Sequence, residues 1–450
     1  MGRKICCSIA RSKGLRVVMM AERTDTPVGE LLHSQLVRLY PICRSITGPG
    51  VRETISLIGE HIPLSVTEVP SGEPVLDWHV PKEWTIRDAW VADASGNRVI
   101  DFQKHNLHIV SYSRPVHTRM SLSELKPHLH SDPSNPEWIP YRTGYYADNW
   151  GFCLPHRDLE AMQEGEYEVV VDATLEDGSL TYAECIIPGQ TTDEILLSAH
   201  ICHPSLANDN LSSIVVATEL ARRLLEGPQP QHTIRVLFIP ATIGSITWLA
   251  RNTATVDRVK HGLVLANLGD PGAIHYKKSR RDDTEINRAV RLVIQDQPDH
   301  KMLEFEPYGY DERQFCSPGF DMPMGCFSRT PYASFQEYHT SADNPEFVRP
   351  EALEDSLTRL EKVIDILERD KKFMNLNPKG EPMLGRRGLY DAIGGRSDSK
   401  EQQMALLWVL NYSDGDHSLL DIAERSQLGF DRVADAAEIL RQHGLLVVAS

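Results

Sequence analysis

"EILLSAHICHPSLANDNLSSIVVATELARRLLEG", residues 194–227, changes its pattern twice. The apolar run EILL leads through small residues to His200. A polar loop with a second histidine, a cysteine and an aspartate follows, and then apolar positions recur every three or four residues up to Gly227. A short apolar run reads as a buried strand, and the three-to-four spacing reads as an amphipathic helix, so the stretch predicts strand, polar loop and helix. The same grammar continues on both sides. TYAECIIPG precedes it as a strand, and TIRVLFIP and HGLVLANLGD follow as two more. Strands alternating with helices predict an α/β domain with a mostly parallel sheet, whose ligands lie outside the carboxyl ends of the strands. HICHPSLANDN, PATIGS and LGD all fall at such ends.

Working outward, residues 28–60 read as one or two helices, with Gly-Pro-Gly as punctuation. Between about Val75 and Ala173 short alternating runs and turn signals such as ASGN predict an inserted β-rich domain. The helix EALEDSLTRLEKVIDILERD closes the α/β domain, and the Pro/Gly-rich segment NLNPKGEPMLGRRG reads as a linker. Helix, helix, helix and an apolar tail then resemble a winged helix. The expected division is 28–74 with 174–375 as the α/β domain, 75–173 as the insert and 385–450 as the winged helix. Residues 1–27 are expected to be a basic, mobile extension, or in part the result of an upstream start with Met20 as the true first residue.

Composition narrows the function classes. A formal charge of −16 argues against a general nucleic-acid binder, because phosphate contacts need a basic surface. Residues 401–450 carry eight acidic side chains against Arg425, Arg432 and Arg441, so the tail is expected to pack or to contact protein, through a partner or a second copy of the chain, rather than DNA. No run of eighteen apolar residues exists, and no membrane span or membrane partner is expected. The eight cysteines show no CxxC spacing, which predicts reduced thiols and a cytoplasmic protein.

The strand-end residues carry the chemistry. A hydrolytic zinc site needs a few nitrogen or oxygen ligands and an open position, so that the metal can activate water and polarise a carbonyl. His200 or His203, Asp209, Asp270 and His339 of QEYHTSADN supply such groups. Each alone reads as structural; together, at successive strand ends, they read as a site.

HxxHPSxANDNLSS followed by a helix resembles the co-catalytic zinc aminopeptidase superfamily, and YHTSADN is similar to its terminal His-Thr segment. LYPICRSITGPGVRET, GYYADNWGFCL, TIGSI, DERQFCSPG and EYHTS resemble a bacterial family of aminopeptidase-like proteins with an inserted β domain and a winged-helix tail. The resemblance runs from about Leu39 to the end. It implies a zinc-aminopeptidase-like sheet flanked by helices, one or two Zn2+ ions, and hydrolysis of an amide bond in a small aminoacyl or peptide-like substrate. Asp209 matches the bridging aspartate and His339 the last histidine ligand, with Asp270 as the intermediate carboxylate; the leading ligand stays open between His200 and His203.

One departure bears on activity. Where the closer family has Pro-Glu-Thr-Ile-Gly-Ser, this chain has Pro240-Ala241-Thr242, and alanine takes no proton. Three explanations stay open: a deliberately inactivated variant, a natural pseudoenzyme that keeps its pocket to bind a ligand or to dock a partner, or an enzyme in which Glu312 or Glu337 serves as base. For substrate contact the sequence offers Arg44 of RSITG, Tyr145, Tyr146 and Trp150 of the aromatic stretch, and Asp311 and Arg313 of DERQF. Capping turns and core packing are the plainer roles for Arg44 and for the aromatic group.

Overall fold

The structure is a computed structural model that describes residues 26–389 and 397–449. The expected N-terminal extension therefore lies almost wholly outside the described residues. At the centre, all seven residues of the strand Glu194–His200 are buried. It pairs in parallel with Thr233–Ile239 on one side and Val259–Leu265 on the other. Met324–Ser328 extends the parallel block. The outer strands differ: Ser179–Ile187 and Ser65–Pro70 run antiparallel on one edge, and His275–Lys277 is antiparallel to Met324–Ser328 on the other. The eight-stranded sheet is thus mixed around a parallel centre.

Burial on both faces explains the unbroken apolar runs. Ile195, Leu197 and Ala199 join the core formed with the helices Val28–Leu39, Ser213–Glu226 and Pro350–Arg369. Leu196 faces the opposite core, which includes Trp248 of the helix Ile243–Arg251. Charges inside the sheet are paired. Arg235 Nη1 donates to Glu184 Oε1 at 2.7 Å and its Nε to Glu194 Oε2 at 2.8 Å. Breaking such a buried pair costs about 3–5 kcal/mol, because one charge is left without compensation.

The insert is a four-stranded antiparallel sheet ordered Arg98–Asp101, Glu83–Ala92, Glu166–Glu176, Val116–Ser121. Glu166–Glu176 belongs to the insert while Ser179–Ile187, just across a turn, belongs to the main sheet.

At the other end the expected boundary is corrected. Lys372–Asn375 is the central strand of a small antiparallel sheet with Asp414–Ser418 and Leu446–Val448, so it belongs to the winged helix and not to the α/β domain. Four residues carry no periodicity that would separate them from the preceding helix. Acidic residues of the winged helix meet arginines of the larger domain: Arg288 pairs with Asp421 and Glu424, and Arg369 with Asp431 and Asp435. Among the described residues no helix is long and apolar enough to cross a membrane.

Asp370 sits at this junction, and its Oδ1 accepts the Leu420 N–H at 2.9 Å. Burial pushes its carboxyl up to about 6. The folded protein then holds that proton more tightly than the unfolded chain, whose carboxyl has the ordinary value of 3.8. Stability contributed by this group is therefore lost as pH rises through about 4 to 6. Asp370→Asn keeps an acceptor for Leu420 and removes the titration. Its stability advantage over the parent is expected to grow across that window to about 3 kcal/mol and then level off. Thermal or urea melts of both proteins from pH 4 to 8 check this, and a pH-independent difference contradicts it.

Candidate metal centre

Parallel register brings the carboxyl ends of the central strands to one edge: His200 pairs with Ile239, next to Pro240 and Ala241, and Ala199 with Leu265. After His200 the chain loops through His203 and returns as a buried turn at Asn208-Asp209-Asn210 before the helix Ser213–Glu226. His200 Nε2 lies 2.9 Å from Asp209 Oδ1, and His339 Nε2 lies 2.9 Å from Asp209 Oδ2. His203 Nε2 is 4.0 Å from the same Oδ2. His200, His203 and Asp209 can each place one ligand atom within 4.8 Å of the others. His339 reaches the cluster through Asp209.

The electrostatics suit a cation. Burial alone would raise the Asp209 carboxyl, but the three imidazoles around it hold it well below the usual carboxylate range. Burial also pushes His203 well below the usual imidazole range, so the ring stays neutral and one of its nitrogens offers a lone pair to a metal. Cys202 is no competitor: burial pushes its thiol up to about 12, and its Sγ accepts the Ala241 N–H at 3.2 Å. Three imidazoles and one carboxylate form a donor set that fits zinc.

Supporting groups hold these side chains. Asp343, four residues after His339, is fully buried and accepts the N–H groups of Asn208 at 2.6 Å and Asp209 at 3.0 Å. Burial raises its carboxyl to about 8, offset in part by those same bonds. His339 adopts φ 56°, a left-handed conformation that costs about 1–2 kcal/mol for an ordinary residue. The insert offsets this, because Tyr141 N–H donates to the His339 carbonyl at 2.7 Å and Ser341 Oγ accepts the Ile139 N–H at 2.9 Å. The β-rich insert thereby forms one wall of a cavity of about 620 Å³. His200, His203, His339, Ala241, Asp311, Arg313, Tyr145 and Tyr146 all line it.

Several expected site residues lie elsewhere. Asp270 is buried, but its oxygens accept from Asn208 Nδ2, Thr330 Oγ1 and the Gly272 and Thr330 N–H groups. The chain turns at Asn267, φ 51°, and carries Asp270 away from the cavity. Asn267 instead takes the strand-end place, with a buried Oδ1 that has no hydrogen-bond partner. Arg44 is not a substrate contact: it is 1% exposed and donates to the carbonyls of His203 and Leu39, both at 2.8 Å. It fixes the histidine loop from behind. Trp150 is core, stacked on His128 with ring centroids 3.8 Å apart. Glu312 is fully buried against Lys277, and neither it nor Glu337 lines the cavity. Pairwise spacing gives no sign of Asp343 or Asn267, although they lie within QEYHTSADN and HGLVLANLGD.

A family model described as "Domain of unknown function (DUF4910)" matches residues 33–370, and one described as "winged helix-turn-helix" matches residues 371–448. A Clostridium acetobutylicum protein described as a candidate polysaccharide biosynthesis protein with an aminopeptidase-like domain is 47% identical over 425 residues, which are 94% of this chain and 98% of the relative. The crystal structure of a candidate peptidase from the same organism matches with a TM-score of 0.89 at 45% identity, covering 93% of this chain and 96% of that one. BSAP, a zinc aminopeptidase from Bacillus subtilis, shares the fold at a TM-score of 0.57 and 14% identity, over 77% of this chain and 96% of its own.

Proposed function

The chain belongs to the DUF4910 family, and on that premise we propose that it is a zinc-dependent amide hydrolase of aminopeptidase type for small aminoacyl or peptide-like substrates. The observation that supports this most is Asp209, clamped between His200 and His339 beside a neutral His203 at the wall of an open cavity. These four side chains would hold the metal, which supplies Lewis acidity toward a carbonyl and a lowered pKa for water. The chain's own residues do the rest. Asp343 and Arg44 keep the ligand loop in place from two sides. Tyr141 and Tyr145, hydroxyls 3.1 Å apart, narrow the cavity over the histidines and limit access of bulk water. Tyr310 stacks on His200 with centroids 5.5 Å apart and restrains the imidazole plane.

Proton transfer is the weak step. Ala241 lines the cavity where a base would stand, and among the described residues Asp311 is the one carboxylate in that lining, Asp209 lying behind the histidines. Asp311 Oδ1 is committed to the Thr242 N–H at 2.7 Å, and burial raises its pKa. Turnover is therefore expected to be slow, with Asp311 serving as a poorly placed acceptor.

Elemental analysis after zinc equilibration, combined with turnover of aminoacyl p-nitroanilides and dipeptides, tests the reading. At least one zinc per chain and chelator-sensitive hydrolysis are expected. Stoichiometric zinc with no turnover of any amide would leave a binding protein, and no zinc at all would sink the hydrolase.

A further inference from the structure

Arg313 is the sole arginine or lysine among the residues that line the cavity. It makes no salt bridge among the described residues, although the chain carries 63 acidic against 47 basic side chains. Its Nε is buried without a hydrogen-bond partner. The buried Arg235 meets Glu184 and Glu194, and Arg329 meets Asp355; Arg44, with Nη2 likewise unpartnered, spends Nε and Nη1 on the His203 and Leu39 carbonyls behind the site, whereas Arg313 is half-buried and lines the cavity. Asp311 feels the charge of Arg313 but forms no ion pair with it, its Oδ1 taking the Thr242 N–H, and Glu312 pairs with Lys277. The guanidinium carbon instead sits 5.7 Å from the Tyr308 ring centroid, a contact that orients the group and brings it no acceptor.

A desolvated guanidinium N–H without an acceptor is costly, and a planar fork of donors matches the two oxygens of a carboxylate or two of a phosphate. We infer that the cavity takes a small substrate bearing an oxyanion, a carboxylate or a phosphate, and that Arg313 is the residue that selects it. The inference rests on the reading of this cavity as the substrate site and adds the substrate's charge to it. Arg313 and the histidine cluster line one space of about 620 Å³, so the anionic group and the scissile amide belong to one molecule the size of a dipeptide or a substituted monosaccharide. The aromatic walls, Tyr145, Tyr308 and Tyr338 among them, accept its uncharged part.

Calorimetric titration of the zinc-equilibrated full chain with L-alanyl-L-alanine, L-alanyl-L-alaninamide and inorganic phosphate tests this. The parent is compared with Arg313→Met and Arg313→Lys, and melting curves establish that both variants fold. Phosphate can also meet the metal, so the readout is dependence on Arg313. The free carboxylate is expected to bind at least about tenfold more tightly than the amide. Arg313→Met should abolish that preference, Arg313→Lys should keep part of it, and affinity for the amide should stay level across all three. Phosphate binding that falls about tenfold in Arg313→Met, with no preference between the dipeptides, assigns the anion to a phosphate. If Arg313→Met changes the binding of neither anion, the inference is wrong. Turnover is not part of this readout: Arg313-dependent binding without hydrolysis would spare the inference and end the hydrolase reading, and hydrolysis indifferent to the anion would do the reverse.

Discussion

Asp209→Asn is expected to leave a folded chain that retains less than about a tenth of the parent's zinc and hydrolyses amides at least a hundredfold more slowly. The substitution preserves shape and removes the one anion in the cluster. Asp209 is fully buried, and its two oxygens lie 2.9 Å from His200 and His339. An amide offers a single neutral oxygen in the same place, so a divalent cation would meet imidazoles without charge compensation. Removing a partner that merely orients a ligand typically costs 10- to 100-fold in metal affinity, and losing the shared carboxylate should cost at least that much. Elemental analysis at matched free zinc, with circular dichroism as the check on folding, decides the matter. A variant that binds zinc like its parent would show that Asp209 only bridges histidines.

Ala241→Glu should act in the opposite direction. Ala241 is half-buried at the cavity wall, one residue beyond the strand Thr233–Ile239 and its Pro240. Its neighbour Thr242 is anchored by Asp311. A glutamate at this position would extend into the cavity that His200, His203 and His339 also line. A positioned general base contributes about 10² to 10⁴ in rate, so turnover is expected to rise at least a hundredfold with zinc content little changed. Should zinc stay bound and the rate stay flat, Asp311 already takes the proton, and Asp311→Asn in the unmodified chain would then slow hydrolysis. Neither substitution slowing or speeding turnover would mean that no carboxylate at either position takes part.

Much of the architecture was legible along the chain because it depends on local periodicity. EILLSAH, TIRVLFIP and HGLVLANLGD read as buried strands, and each is one. The helix after Leu211 and the three helices near the C-terminus follow the same rule. Antiparallel outer strands were less legible, since a continuous apolar run looks the same whichever way its neighbour points. The strand Lys372–Asn375 was assigned to the wrong domain because its partners, Asp414–Ser418 and Leu446–Val448, lie some forty and seventy residues further on.

The cluster divides in the same way. His200 and Asp209, nine residues apart, stand out in one motif because a strand end and a helix start must lie close together. The 2.9 Å contact between Asp209 and His339 spans 130 residues and depends on the insert, which braces the His339 backbone through Tyr141. Side-chain direction was the least legible feature. Asp270, Arg44 and Glu312 have the right chemistry, yet the turn at Asn267, the fully buried seat of Arg44 and the ion pair with Lys277 direct them away from the cavity. Asp311 and Arg313 line it instead. Residue types and their periods specify which segments become strands and helices, since that choice is made within a few residues. Which carboxylate faces the metal and which arginine stays unpaired follow from turns and packing between distant segments, and a one-dimensional pattern carries no record of those contacts.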